Sequence, residues 1–200
     1  MAYSLFYLYN KLRKMALTES NMMAIGSLAP NFALLDTISG EQLSYEDIKG
    51  QKGTVIFFTC NHCPYVIHLN EAIVKLANEY LLNGIGFVAI SSNDVEKYPQ
   101  DSPEKMSLLA REQNYPFPYL YDATQDVAKA YEAACTPDIY VFDAEEELVY
   151  RGRFDQSRPG NDVPPTGADL REAIDLMLKG MPITENQYPS AGCGIKWKQV

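Results

Sequence analysis

The sequence predicts an α/β domain whose central sheet carries helices on both faces. It is a three-layer α/β/α arrangement, with a β-hairpin at its start and an irregular tail at its end. Two observations point there. Thr54–Phe58 and Gly86–Ser91 are near-unbroken apolar and β-branched runs, as expected of strands covered on both sides rather than on one. After the first run, Val66, Leu69, Ile73, Leu76 and Tyr80 recur on one helical face, with Lys75 and Glu79 on the other. Buried strands separated by amphipathic helices imply a parallel pair joined by a right-handed crossover.

The elements follow in order. Residues 1–22 read as an extension, poorly ordered or helical. Met15 is itself a plausible start, which would make residues 1–14 translated upstream sequence. The domain spans 23–181. Ala29–Asp36 reads as a strand, Ser39-Gly40 as a turn and Gln42–Ser44 as the returning strand of a hairpin. Ser44 caps a short helix from Tyr45 to Lys49 that Gly50 ends. The amphipathic helix stops near Asn83-Gly84. Ser102-Pro103-Glu104 has a capping serine, proline at the first helical position and an acid in the first turn, and Met106, Leu109 and Ala110 continue the pattern. Phe117–Tyr121 reads as a short edge segment and Gln125 to about Glu132 as a helix. Ile139–Asp143 is a third strong strand, turning through Ala144–Glu147 to pair back with Leu148–Phe154. Residues 155–166 are loop, and Thr166 caps a last helix with Leu170, Ala173, Ile174, Met177 and Leu178 on its apolar stripe. Residues 182–200 form a tail that packs on the domain.

Composition narrows the function. A net charge of −9 excludes a nucleic-acid surface, since phosphate binding needs a basic face. Lys11 to Lys14 and Lys196 to Lys198 are too small to form a patch. No stretch approaches the roughly 18 apolar residues of a membrane span. The apolar first residues lack the basic start of a secretory signal. Four cysteines in 200 residues are too few for a disulfide scaffold and fit a reducing compartment. The chain reads as a soluble cytoplasmic protein, and nothing in it implies a cofactor.

The chemistry gathers at Cys60-Asn61-His62-Cys63, between the first buried strand and its helix. Cys60 is expected in the turn and Cys63 in the helix's first turn. There, unpaired N–H groups and the helix dipole favour thiolate over thiol. A thiolate and a second nearby thiol are what disulfide exchange needs. Cys60, exposed in the turn, is expected to attack, and Cys63, shielded, to resolve. The alternative is half of a zinc site, although Cys135 and Cys193 supply no second close pair. His62 between the cysteines either stabilises the thiolate or simply faces solvent. His68 falls on the outer helix face with Ala72, Lys75 and Glu79 and is given no role. Thr136-Pro137 at the start of a core strand implies a break in the ladder. A cis bond there would offer the Thr136 backbone to an extended chain, whereas a trans bond is an ordinary strand start.

With these residues in place, the chain resembles the thioredoxin fold superfamily, and within it the peroxiredoxin-like branch related to alkyl hydroperoxide reductase and thiol-specific antioxidant proteins. The resemblance rests on Gly26-Ser-Leu-Ala-Pro30-Asn-Phe32, Cys60-Asn-His-Cys-Pro-Tyr-Val66, Ser91-Ser-Asn-Asp94, Cys135-Thr-Pro-Asp138, Tyr150-Arg-Gly-Arg153 and Gly192-Cys-Gly-Ile-Lys-Trp197. It covers about Met15 to Lys198 and implies a cis Pro137. The Pro-x-x-x-Thr-x-x-Cys pattern of typical peroxiredoxins and the Trp-Cys-Gly-Pro-Cys of thioredoxin are absent. The resemblance implies a thiol–disulfide oxidoreductase with a general antioxidant or redox-homeostasis role, acting on a protein or small-molecule disulfide or a peroxide. A thioredoxin- or glutathione-type partner would re-reduce it. Site residues would be Cys60, Cys63, His62, Thr136 and Pro137. A thiol peroxidase and a non-enzymatic metal- or partner-binding module are the alternatives. Cys135 and Cys193 are left open, as redox thiols or as buried small residues.

Overall fold

A computed structural model describes residues 17–199. Its centre is β4 (Gly53–Phe58), flanked by β5 (Ile85–Ser91) in parallel and by β8 (Asp138–Phe142) antiparallel. With β2 (Ala33–Asp36), β3 (Gln42–Ser44), β6 (Tyr119–Tyr121) and β9 (Leu148–Gly152) they form a seven-stranded sheet of order β3-β2-β6-β5-β4-β8-β9. The helices are α1 (Tyr45–Ile48), α2 (Pro64–Leu81), α3 (Pro103–Glu112), α4 (Asp126–Ala130) and α5 (Ala168–Leu178).

Alternation along β4 divides the core. Val55 and Phe57 pack with Leu69, Ile73 and Leu76 of α2, Met106 of α3 and Leu170 and Ile174 of α5. Ile56 and Phe58 turn to the other face, where Tyr45 and Ile48 of α1 and Ala128 of α4 close over them with Tyr131 and Tyr140. Both faces are therefore filled, as the unbroken apolar strands imply. Close approach of α1's end to β5 depends on Gly86, where a Cβ would lie 2.3 Å from the Ile48 carbonyl oxygen.

Several expected elements change position. Phe117–Tyr121 is not an edge: β6 lies between β5 and β2, because the hairpin adds beyond it. Buried Asp36 fastens that join, its Oδ1 accepting the Tyr119 N–H at 3.0 Å. The last helix is not capped by Thr166. The chain enters α5 through Gly167 at φ 72°, and Asp155 Oδ2 accepts the Thr166 and Gly167 N–H groups at 2.6 Å each. Residues 17–19 of the expected N-terminal extension form a strand, β1 (Leu17–Glu19). Residues 1–16 of that extension, Met15 among them, lie outside the described residues, and Ser20, just past the strand, donates its N–H to the Ser190 carbonyl (2.9 Å).

The tail differs most. It carries β10 (Ala191–Gly194), the middle strand of a second, three-stranded sheet β1-β10-β7, where β7 is Cys135–Thr136. Glycine and proline mask the strand in sequence, and only its two partners define it. Among the described residues no helix is long and apolar enough to cross a membrane.

Candidate active site

β4 delivers the chain to the site. The Thr59 N–H still donates to the Ile90 carbonyl (2.8 Å), after which Cys60, Asn61 and His62 make the turn. Cys63 is the N-cap of α2, not a residue of its first turn, because Pro64 takes the first helical position. Proline has no N–H to satisfy and its φ already suits a helix, so the helix begins there. Cys63 Sγ nevertheless lies at the helix N-terminus, where the Val66 amide favours its thiolate. On the neighbouring loop the Thr136-Pro137 peptide is cis.

Three sulfurs meet at this point. Cys60, Cys63 and Cys193 pack together with Val66, with Tyr65 against them. Cys60 Sγ lies 3.5 Å from the Thr136 hydroxyl, and Cys63 Sγ lies 3.1 Å from the Thr136 carbonyl oxygen. Cys63 is the centre of the group. Hydrogen bonds from the Cys193 and Cys60 thiols hold its own thiol below the ordinary range, against burial. The Thr136 carbonyl accepts from Cys63 while it is protonated and opposes its ionisation. The Cys193 and Cys60 thiols and the Val66 amide outweigh it, so Cys63 is the sulfur of the cluster on which a negative charge is favoured. The same contact with Cys63, with burial behind it, pushes Cys60 and Cys193 up, and the Asp101 charge adds to the effect at Cys60. Cys135 is also raised, by burial and then by the Asp138 charge.

Two sequence expectations fail here. Cys60 is not exposed in its turn: it is 1% accessible, and Cys63 is 0%. Nor is the Thr136 backbone open to an incoming chain. β10 already pairs with it, Cys193 opposite Thr136 and Gly194 opposite Cys135. The cover is close because residue 192 is glycine. A Cβ there would lie 2.0 Å from the Thr136 carbonyl oxygen.

His62 is anchored rather than free. Its ring stacks on Tyr98 (centroids 5.6 Å apart, planes 6° from parallel), and Nδ1 lies 2.7 Å from Asp101 Oδ2. Asp101 is buried and also accepts the Asn61 N–H (2.9 Å) and the Asn93 side-chain N–H (2.8 Å). Asn93 in turn accepts the Lys196 N–H (2.8 Å), so one side chain links the carboxylate behind His62 to the tail. The ligand atoms of Cys60, His62 and Asp101 lie within 4.8 Å of one another, a set that could offer sulfur, nitrogen and oxygen to a metal ion. His68, expected on an outer face without a role, contacts Ser157 Oγ at 2.6 Å.

Sequence reasoning missed Asp101 and Tyr98, which fall in a polar loop whose spacing carries no signal, and it gave Asn93, within the Ser91–Asp94 motif, no role. It noticed Cys193 without being able to place it; the glycines on either side were the available hint of a close approach.

A central sheet between helices, with clustered thiols at a helix N-terminus beside a cis-proline loop, defines a thioredoxin-like protein with a redox function. Within that class the particular family is shown directly: residues 25–151 match the AhpC/TSA family, and the chain belongs to it. The fold is similar to an uncharacterized conserved protein from Geobacillus kaustophilus, with 55% identity, a TM-score of 0.91, and 93% of this chain and 98% of that one covered. The thiol-disulfide oxidoreductase ResA of Halalkalibacterium halodurans is 25% identical over 131 residues, which is 66% of this chain and 69% of ResA. The peroxidoxin BcpB of Mycobacterium tuberculosis shares the fold alone, at 18% identity and a TM-score of 0.58, over 79% of this chain and 97% of that one.

Proposed function

We propose that the protein is a thiol–disulfide oxidoreductase working through the Cys60-x-x-Cys63 couple, with a general antioxidant or redox-homeostasis role. The observation that carries this reading is the contact of the two thiols at the N-terminus of α2, with Cys63 favoured as thiolate. The roles expected from sequence are reversed. Cys63 attacks a sulfur of a substrate disulfide and one substrate thiolate leaves. Cys60 then loses its proton and attacks Cys63 Sγ, releasing the second substrate thiolate. The balance is two protein thiols and one disulfide giving one protein disulfide and two thiols. Asp101 positions His62 beside Cys60, where an imidazole is suited to take the Cys60 proton. Thr136 contacts both sulfurs, Cys60 Sγ through its hydroxyl and Cys63 Sγ through its carbonyl, and the cis Pro137 fixes the loop that presents it. A thioredoxin- or glutathione-type reductant would return the couple to dithiol. Four unpaired cysteines suit the reducing environment of a cytoplasm.

The test is titration in glutathione redox buffers, with free thiols counted and disulfides mapped in the native chain and in Cys60→Ser and Cys63→Ser, alongside catalysed reduction of a protein disulfide. A reversible Cys60–Cys63 bond and activity lost in both variants are expected. Failure of that bond to form at any potential refutes the reading.

One observation favours a second reading, a thiol peroxidase. Both sulfurs are almost inaccessible, which suits a small hydroperoxide better than a folded partner. Cys63 would then be oxidised to a sulfenic acid, with loss of water or alcohol from the peroxide, and Cys60 would condense with it, releasing water. Peroxide consumption faster than disulfide reduction would favour it.

A further inference from the structure

The second sheet brings Cys193 to the redox centre from 130 residues further along the chain than Cys63, and neither reading above uses it. We propose that Cys193 is a second resolving thiol for Cys63, so that one sulfur can close a disulfide with either of two partners. The inference rests on the dithiol reading of the same site.

Four observations carry it. Cys193 is 3% exposed and packs with Cys60, Cys63 and Val66, so its sulfur faces the couple rather than solvent or a separate core. Its backbone is fixed from both sides: it stands opposite Thr136 on β7 and opposite Leu17 on β1. The Thr136 hydroxyl, which touches Cys60 Sγ, also donates to the Cys193 carbonyl oxygen at 3.4 Å. Finally, glycines flank it. A Cβ at Gly192 would lie 2.0 Å from the Thr136 carbonyl oxygen and one at Gly194 would lie 2.9 Å from Thr18 Oγ1, so the strand sits nearer its neighbours than side chains would permit. The fourth cysteine shows the contrast. Cys135 is next to Thr136 on β7, and alternation turns it away. Its Sγ donates to the Pro137 carbonyl at 3.5 Å and lies outside the thiol cluster.

The step balances as the first one does. Once a substrate disulfide has left Cys63 as a mixed disulfide, Cys193 gives up its proton and attacks Cys63 Sγ. The Cys63–substrate bond breaks, the substrate thiolate leaves and takes up the proton that Cys193 lost, and a Cys63–Cys193 disulfide remains. The two closures differ for the strand over the site. Closure with Cys60 leaves β10 held by hydrogen bonds, so the Thr136 edge can be freed. Closure with Cys193 bonds β10 covalently to the start of α2 and keeps that edge covered. Cys63 thereby chooses between an openable and a locked site.

The experiment uses the full chain and its Cys60→Ser, Cys63→Ser and Cys193→Ser variants. Each is equilibrated in buffers of glutathione and glutathione disulfide from reducing to oxidising, quenched in acid, alkylated and mapped by peptide mass spectrometry. Cys60→Ser is expected to lose two of its three remaining thiols as a Cys63–Cys193 bond, and the native chain to show that linked peptide beside Cys60–Cys63. Cys63→Ser should form neither. If Cys60→Ser keeps Cys193 as a free thiol while Cys63 stays reduced or carries glutathione, and the native chain shows no Cys63–Cys193 peptide, the proposal is overturned. The dithiol reading is judged separately, by whether Cys193→Ser closes Cys60–Cys63.

Discussion

Replacing Asp138 with asparagine, and following stability against pH, tests the electrostatics beside the cis-proline loop. Asp138 opens β8 directly after Pro137 and is 0% exposed. Burial pushes its carboxyl up to about 6, although the Ala134 N–H donated to Oδ2 at 3.1 Å pulls the other way. In the unfolded chain the same group titrates near 3.9. A raised acid binds its proton more tightly when folded. Its favourable contribution is therefore complete below about pH 4 and is lost as pH rises through about 6. Above that the fold carries a buried carboxylate. A difference of about two pH units at 1.36 kcal/mol each amounts to roughly 3 kcal/mol. Asparagine has the same shape, keeps an oxygen for Ala134 and does not titrate. Urea unfolding followed by circular dichroism, at constant ionic strength from pH 3.5 to 7.5, should show the D138N chain gaining about 3 kcal/mol on the native one. Most of that gain should fall between pH 4 and 6, and groups common to both chains cancel. A difference that stays constant to within about 0.5 kcal/mol across the range would refute the burial argument, since stability would then carry no trace of a shifted Asp138.

Three further outcomes follow from the thiol cluster. Cys193→Ala removes the largest stabiliser of the Cys63 thiolate. A hydrogen bond to a charged group is worth about 1.5–3 kcal/mol, so Cys63 should ionise roughly 1–2 pH units higher, read from alkylation rate against pH; an unchanged titration sinks the assignment. Gly192→Ala places a methyl 2.0 Å from the Thr136 carbonyl oxygen and must push β10 away. It should cost about 1–3 kcal/mol and speed alkylation of Cys60 and Cys63, whereas unaltered reactivity would show that β10 does not control access. Asp101→Asn removes a negative charge that raises Cys60. Measured in a Cys63→Ser background, Cys60 should titrate lower than with Asp101 present, and no downward movement would exclude Asp101 as the cause.

Local chemistry explains what was readable beforehand. β4 and β5 announce themselves because burial on both faces requires continuous apolar side chains, and Val66, Leu69, Ile73, Leu76 and Tyr80 mark α2 because its inner face must be apolar. α3 begins at Pro103 as expected, because proline geometry acts over a single turn, although the Ser102 hydroxyl donates to the Glu104 carboxylate and does not cap the helix. Where a contact over long sequence distance decides, the reading stops. β6 becomes interior only because the hairpin pairs outside it, and α5 starts from Gly167, in a turn that the distant Asp155 holds, rather than from a Thr166 cap.

At the site, the chain by itself determined the pair Cys60 and Cys63, the histidine between them and the Thr136-Pro137 break, since spacing and residue type alone place two thiols at a helix start. Tertiary structure decided everything about how those thiols behave. It set which sulfur holds the charge, because that depends on the Cys193 donor supplied by the distant tail. It set whether the site is open, because β10 occupies the Thr136 edge. It also set what anchors His62, because Asp101 comes from another loop. The physical reason is range. Backbone propensity and helix-end fields act within a turn, whereas burial and hydrogen bonding act between whatever groups folding brings together, and no local pattern records those partners.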